Sequence, residues 1–284
     1  MNKLKQSRVS SFIIITLIYI ISTISGILIY NFLDFSWWLS LLIADVAATV
    51  TTFIFSIIFK NASVYDPYWS VQPPIILGAF AFKYGVTTFG ILLIIVVSIW
   101  AIRLTANWAY TFANLTHQDW RYTMLKEKTG IFYPIINFTG IHMVPTLIVY
   151  GCTLPAAYAI INNLEINIIS ILFLCISICA TTIQGIADCQ MHKFRKNRTS
   201  TFIRVGLWKY SRHPNYLGEI LMWWGIALSV VCANPESWYL ITGALANTIL
   251  FLVVSIPMAD KRQSRKEGFE QYKRETHMLL PIKK

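Results

Sequence analysis

Several stretches of about 20 residues run almost free of charge, and this pattern constrains the fold more than any other feature of the chain. A hydrocarbon layer about 30 Å thick is crossed by roughly 20 apolar residues in a helix, which satisfies every backbone N–H and C=O within the segment. Apolar segments fall at roughly 11–32, 37–59, 71–84, 87–105, 131–161, 166–187, 214–233 and 238–258. The third is short for a full span. The fifth is long and contains Pro145 and Pro155, which a membrane helix tolerates as kinks. The expected fold is an all-α integral membrane protein, a bundle of about eight transmembrane helices forming a single multi-pass domain over 1–284. Six spans plus a re-entrant hairpin is the alternative if 71–84 and 87–105 pair.

Charge placement supports that count. Of 284 residues, 56% are hydrophobic and 13% charged, and the net charge of +11 needs no nucleic-acid partner, because membrane proteins gather Lys and Arg in cytosolic loops. Alternating the segments with the N-terminus inside puts every Lys and Arg except Lys83 on the inner side. The outer loops, around 33–36, 162–165 and 234–237, carry acids and no bases. Both termini are therefore expected on the cytosolic side, at the endoplasmic reticulum in a eukaryote or the inner membrane in a bacterium. Lys3, Lys5 and Arg8 precede the first apolar run in the order of a signal peptide. That run is too long and lacks a cleavage-like end, so a retained helix is expected. The five cysteines have no metal-ligand spacing, and neither a metal site nor a disulfide framework is expected.

Polar residues that could carry chemistry gather near the inner face. The stretch Gly206-Leu-Trp-Lys-Tyr-Ser-Arg-His-Pro-Asn-Tyr-Leu-Gly-Glu219 crosses from a basic loop into an apolar helix. Pro214 suits the first helical turn and biases His213 out of the α region. The helix start offers unpaired N–H groups to an anion. Arg212, Tyr216 and Glu219 are expected on one face at i, i+4 and i+7, with Glu219 about one turn inside the membrane segment, where an ionisable group is a functional candidate. Gln184, Asp188, His192 and Arg195 form a second helical stripe, with Lys193, Arg195, Lys196, Arg198 and Arg204 as five bases in quick succession. Asp66 lies in Tyr65-Asp-Pro-Tyr-Trp-Ser-Val-Gln-Pro73, between two apolar segments and beside Tyr68. Arg103, in Trp100-Ala-Ile-Arg-Leu-Thr-Ala-Asn107, and Arg121, in His117-Gln-Asp-Trp-Arg-Tyr122, add bases on the same side. A tail around Gly268-Phe-Glu-Gln-Tyr-Lys-Arg-Glu-Thr276 reads as a short amphipathic helix on the inner membrane surface.

Arg212-His-Pro-Asn-Tyr-x-Gly-Glu219 ahead of a Trp-rich membrane helix resembles the C-terminal signature of the steroid 5-alpha-reductase family and its uncharacterised relatives. The resemblance is strongest over 184–284, which it makes the NADPH-binding part, and a variant of the motif occurs in the isoprenylcysteine carboxyl methyltransferases. In the reductases an amide, an acid four residues on and an Arg seven further approach the NADPH nucleotide; Gln184, Asp188 and Arg195 match that spacing, with Gln in place of Asn. The resemblance thus implies NADPH as cofactor, held by Gln184, Asp188, Arg195, Arg212, His213, Asn215, Tyr216 and Glu219. Arg103, Arg121, Lys261 and Arg262 are placed as phosphate contacts. A carboxylate seven residues before a proline binds the substrate carbonyl in that family; Asp66 and Pro73 have this spacing, with Asp in place of Glu. Asp66 and Tyr68 are the catalytic candidates. An acid kept neutral by an apolar pocket can donate a hydrogen bond to a developing enolate.

The implied reaction is reduction of a carbon–carbon double bond conjugated to a carbonyl in a lipophilic, steroid- or lipid-like substrate within the bilayer. The alternative is an S-adenosylmethionine-dependent membrane methyltransferase of the isoprenylcysteine type. Those enzymes carry paired glutamates where Asp260-Lys-Arg262 stands here, and two bases suit an adenosine 2′-phosphate better. A transporter or scaffold fits less well, because the polar residues line the inner face instead of a midplane path.

Overall fold

The structure, a computed structural model, describes residues 5–198 and 200–282. Lys3 of the N-terminal basic flank and the terminal Lys283-Lys284 pair lie outside the described residues. Among the described residues the regular elements are all helices, and an isolated bridge joins Ser211 to His277. The helices are α1 (Arg8–Phe32), α2 (Trp37–Ile58), α3 (Tyr68–Tyr84), α4 (Thr88–Thr111), α5 (Trp120–Ile161), α6 (Ile168–Asn197), α7 (Pro214–Ala233), α8 (Pro235–Gln263) and α9 (Phe269–Glu275).

Seven of these, all but α3 and α9, are long and apolar enough to cross a membrane. The apolar segment 71–84 becomes the larger part of α3, whose 17 residues include Pro73 and Pro74. At 1.5 Å per residue such a helix reaches about 25 Å, short of the hydrocarbon thickness. The hairpin alternative pairs this segment with α4, which is 24 residues long; Asn61, before α3, bonds the loop after α4, so the two helices together leave and regain one side. The fifth apolar segment runs on as one helical stretch of 42 residues, α5. It is irregular: a π-helical stretch, Asn137–Met143, precedes Pro145, whose ring excludes the carbonyl one turn back.

Contacts divide the chain into two compact units. Unit 1 comprises Met1–Ile75 with Leu104–Tyr150, and unit 2 comprises Ile76–Arg103 with Gly151–Lys284. In unit 1, α1 starts at Ser7, whose hydroxyl accepts from Ser10 N at 3.3 Å. It packs along α2 through paired hydroxyls, Ser22 with Thr52 at 3.0 Å and Ser25 with Thr51 at 3.2 Å, as expected where lipid removes the usual hydrophobic drive between helices. A 3-10 turn, Ala62–Tyr65, follows α2. Asn61 Nδ2 anchors the 113–119 loop there by donating to Leu115 O at 2.7 Å and His117 O at 3.0 Å.

In unit 2, α6 and α7 form the most extensive helix pair. Gly218 and Gly225 of α7 permit the approach: a Cβ at Gly218 would lie 2.6 Å from Ala180 O, and one at Gly225 would lie 2.7 Å from Phe173 O. Ser177 and Ser170 of α6 donate across the seam to Met222 O at 2.9 Å and Ser229 O at 2.7 Å. The short tail helix expected from the sequence is α9. Gly268, in the left-handed region at φ 77°, turns the chain into it, and Phe269 and Tyr272 pack on Phe202.

Candidate functional site

The polar centre of unit 2 is built around Glu219, which is 6% exposed in the second turn of α7. Its carboxylate accepts from Trp100 Nε1 at 2.9 and 3.0 Å and from Trp223 Nε1 at 3.0 Å. Gln184 Nε2 donates to it at 2.9 Å, and Arg103 Nη2 lies 3.4 Å away. Arg103 Nη1 in turn meets Asp188 Oδ2 at 2.8 Å. Four candidates read from three separate stretches, Arg103, Gln184, Asp188 and Glu219, thus converge in one network that joins α4, α6 and α7. With four side chains donating to it, the buried carboxylate is paired rather than isolated, as burial of a charge requires.

Some atoms around this network remain without a partner. Gln184 Oε1 is buried and accepts nothing, and so is Asn215 Oδ1; Arg103 Nε likewise lacks an acceptor. Two open acceptors beside a charged network suit hydroxyl or amide donors of a ligand.

Arg212 does not share the face of Glu219. Pro214 starts α7 and leaves His213 non-helical (φ −138°, ψ 61°), so Arg212 precedes the helix and turns away from its axis. Its guanidinium reaches Asp260 at 3.2 Å and the carbonyls of Lys273 at 3.1 Å and Thr276 at 2.6 Å. His213 Nε2 lies 2.9 Å from the other Asp260 oxygen, and its ring stacks on Tyr216. Asp260, which precedes the phosphate-contact candidates Lys261 and Arg262, is the buried hub tying the α7 entry to the end of α8. Lys261 and Arg262 beyond it are exposed.

A basic cluster forms where α6 and α8 end. Burial first, then the charges of Arg262, Arg198 and Arg195, hold the Lys266 ammonium below the ordinary lysine range. Like charges so gathered favour an anion. Arg195, Arg198 and Arg262 stood out in the sequence; Lys266 did not, because only the fold brings the two helix ends together.

Unit 1 holds the catalytic candidates. Asp66 is half-buried at the end of the 3-10 turn, and Tyr122 Oη donates to its Oδ1 at 2.6 Å. Burial pushes the carboxyl up to about 6, with the Tyr122 hydrogen bond and the Arg121 charge pulling back against that rise. Arg121 itself grips Asp119, at 2.8 and 3.2 Å. Tyr68 Oη points towards Asp45 Oδ1 at a long 3.5 Å, and Asp45 went unnoticed in the sequence. Asp45 is 4% exposed within α2 and faces the Gln72 amide, yet its Oδ2 and both polar atoms of Gln72 lack a hydrogen bond of good geometry. A lone acid inside an apolar run was the signal that would have found it.

Fold and site together define an all-helical protein with helices suited to multiple membrane passes and a charged network buried among them. The chain belongs to the DUF1295 family, a protein family of unknown function, which matches residues 52–276. No curated protein and no solved structure matches it.

Proposed function

We propose that the chain is a membrane reductase that uses NADPH to reduce a carbon–carbon double bond conjugated to a carbonyl in a lipophilic substrate. The observation that carries this reading is the convergence of Arg103, Gln184, Asp188 and Glu219, which the reductase resemblance or the placement of bases had marked separately. In this reading Gln184 Oε1 and Asn215 Oδ1 accept from the cofactor, and the cluster of Arg195, Arg198, Arg262 and Lys266 takes the 2′-phosphate. Glu219 positions Gln184 and Arg103 and is itself saturated by protein donors. NADPH, when bound, supplies hydride to the β-carbon of the enone. Asp66 acts as a neutral acid, donating a hydrogen bond to the carbonyl oxygen as enolate charge develops. A proton delivered to the α-carbon closes the reduction. Asp45 with Tyr68 offers a further buried acid and hydroxyl in the same unit. The reading also requires α3 and α4 together to return the chain to the side it left, as the Asn61 bonds to Leu115 O and His117 O imply, so that both termini and the 60–70, 103–130 and 189–213 loops lie on the inner side.

Thermal stabilisation of the purified protein tests it. A phosphate contact to Arg is worth about 1.5–3 kcal/mol, so NADPH should bind at least about tenfold more tightly than NADH. Equal stabilisation by the two nucleotides refutes the phosphate assignment. Stabilisation by S-adenosylmethionine and by neither nicotinamide nucleotide replaces the reductase by the methyltransferase.

A further inference from the structure

Unit 2 carries a second basic feature that the proposed function does not use. A concavity of about 770 Å³ opens between the 3-10 turn Gly206–Lys209 and α9, with Arg204, Lys209, Tyr210, Arg274, Glu275 and Ile282 among its lining. Its walls are fixed from behind. Buried Arg212 holds the carbonyls of Lys273 and Thr276, its backbone N–H donates to His277 O at 3.0 Å, and Tyr272 Oη donates to Trp208 O. Arg204 is pre-positioned as well: Nη2 donates to Gly268 O at 2.7 Å while the guanidinium lies 4.5 Å from the Phe202 ring centre.

Three bases face one acid here, and that acid, Glu275, already accepts from Gln271 Nε2 at 2.7 Å. The charge balance therefore calls for an anion. The surroundings say which kind. Ile282 of the lining is more than half exposed and Tyr210 is 44% exposed, and Val205 and Leu280, next in sequence or nearly so to lining residues, are also more than half exposed. Lys209 also stands shortly before Pro214, the first residue of a helix apolar enough to span. Bases within reach of exposed aliphatic side chains, at the mouth of a membrane helix, match a phosphate group carried on acyl chains rather than one free in water.

We propose that this concavity binds the phosphate of an anionic phospholipid headgroup, with Arg274 and Lys209, whose ammonium lies 5.7 Å from the Tyr210 ring centre, as the contacts that close on it. The proposal does not rest on the nucleotide reading, since neither residue is assigned to the cofactor. The full chain in nanodiscs, probed by native mass spectrometry with phosphatidylglycerol against phosphatidylcholine, tests it. The expected result is about a tenfold or greater preference for phosphatidylglycerol, from two charge-assisted contacts. Lys209→Gln with Arg274→Gln should reduce that preference to threefold or less and leave NADPH stabilisation unchanged. Lys209→Arg with Arg274→Lys, which keeps the charges, should retain it. Lys193→Gln with Lys196→Gln removes the same charge elsewhere and should also retain it; an equal loss there would show mere net-charge attraction and overturn the site. Equal retention of both lipids overturns it too, as does a preference that survives the double glutamine variant. Displacement of the lipid by an equal concentration of inorganic phosphate or adenosine 2′,5′-bisphosphate would assign the site to a free phosphate instead.

Discussion

Replacing Glu219 by Gln separates the structural part of its network from the part that serves a ligand. The carboxylate takes N–H donors from Trp100, Trp223 and Gln184, with Arg103 at 3.4 Å. In Glu219→Ala all three neutral donors lose their acceptor and Arg103 loses one of its two acids, a cost of about 3–5 kcal/mol for breaking a buried charged set. In Glu219→Gln one oxygen remains for the two indoles, and the new amide faces Gln184. Gln184 can turn its own amide, because its Oε1 is now unpartnered and would accept from the incoming N–H. The long Arg103 contact and one of the two Trp100 contacts are then lost, while Trp100 keeps the other oxygen and Arg103 keeps Asp188 at 2.8 Å. The cost falls to about 1–2 kcal/mol, since single polar contacts between membrane helices contribute well under 2 kcal/mol. At roughly 2–4 °C per kcal/mol, Tm should drop by about 6–20 °C for Ala and by about 2–8 °C for Gln. The turned Gln184 would present N–H where the proposed site needs an acceptor. NADPH binding should therefore weaken about tenfold or more in Glu219→Gln despite its smaller Tm loss. Exchanging the two groups, Gln184→Glu with Glu219→Gln, puts a free oxygen back and should recover part of the binding. Native-like NADPH binding by Glu219→Gln, or a Tm loss equal to that of Glu219→Ala, would refute the argument.

Asp66→Asn should leave nucleotide stabilisation nearly intact while lowering enone turnover, because an interaction formed mainly in the transition state changes kcat more than binding. Burial raises the Asp66 carboxyl to about 6, so the protonated form is the one the folded state favours. Native turnover should fall as pH rises through about 6, and Asp66→Asn should lose that limb; an unaltered limb in the variant assigns it to another group. The same shift predicts that folded-state stability declines between about pH 4 and pH 6, where only the unfolded chain releases the proton. Gly218→Ala should cost about 1–3 kcal/mol by driving a methyl into Ala180 O, whereas Gly78→Ala, with nothing within 4 Å of the added Cβ, should be neutral; thermal unfolding of both checks the seam. Cysteines placed at Thr116 and Ser200 in a chain freed of native cysteines should label from the same, inner side, and labelling from opposite sides would break the proposed topology.

The helices were legible because length without charge is a one-dimensional signal, and the start of α7 was legible because Pro214 acts on its immediate neighbour. Pairings were less so, because they depend on which helix ends meet. Arg212 falls near Glu219 in sequence and was expected on its face, yet it pairs with Asp260, 48 residues on. Glu219 instead receives Trp100 from 119 residues away, and Arg103 meets Asp188 across 85. No local spacing encodes such distances. The π-helical stretch of α5 escaped for a related reason: Pro145 announces a disturbance without stating its form.

The two buried carboxylates point to different uses, and the contrast follows from their partners. Glu219 is surrounded by donors from three helices, so any group approaching it must displace an indole or an amide that the fold holds in place. It can act on a ligand only through what it positions, Gln184 Oε1 above all. Asp45 is as deeply buried, but Tyr68 reaches it only at 3.5 Å and Oδ2 is open beside an amide that is itself unpartnered. A group so short of partners is costly in an apolar interior unless it is neutral or meets a further hydrogen-bonding group. That cost falls on the fold at Asp45 and Gln72, whereas at Glu219 the donors of three helices have already met it.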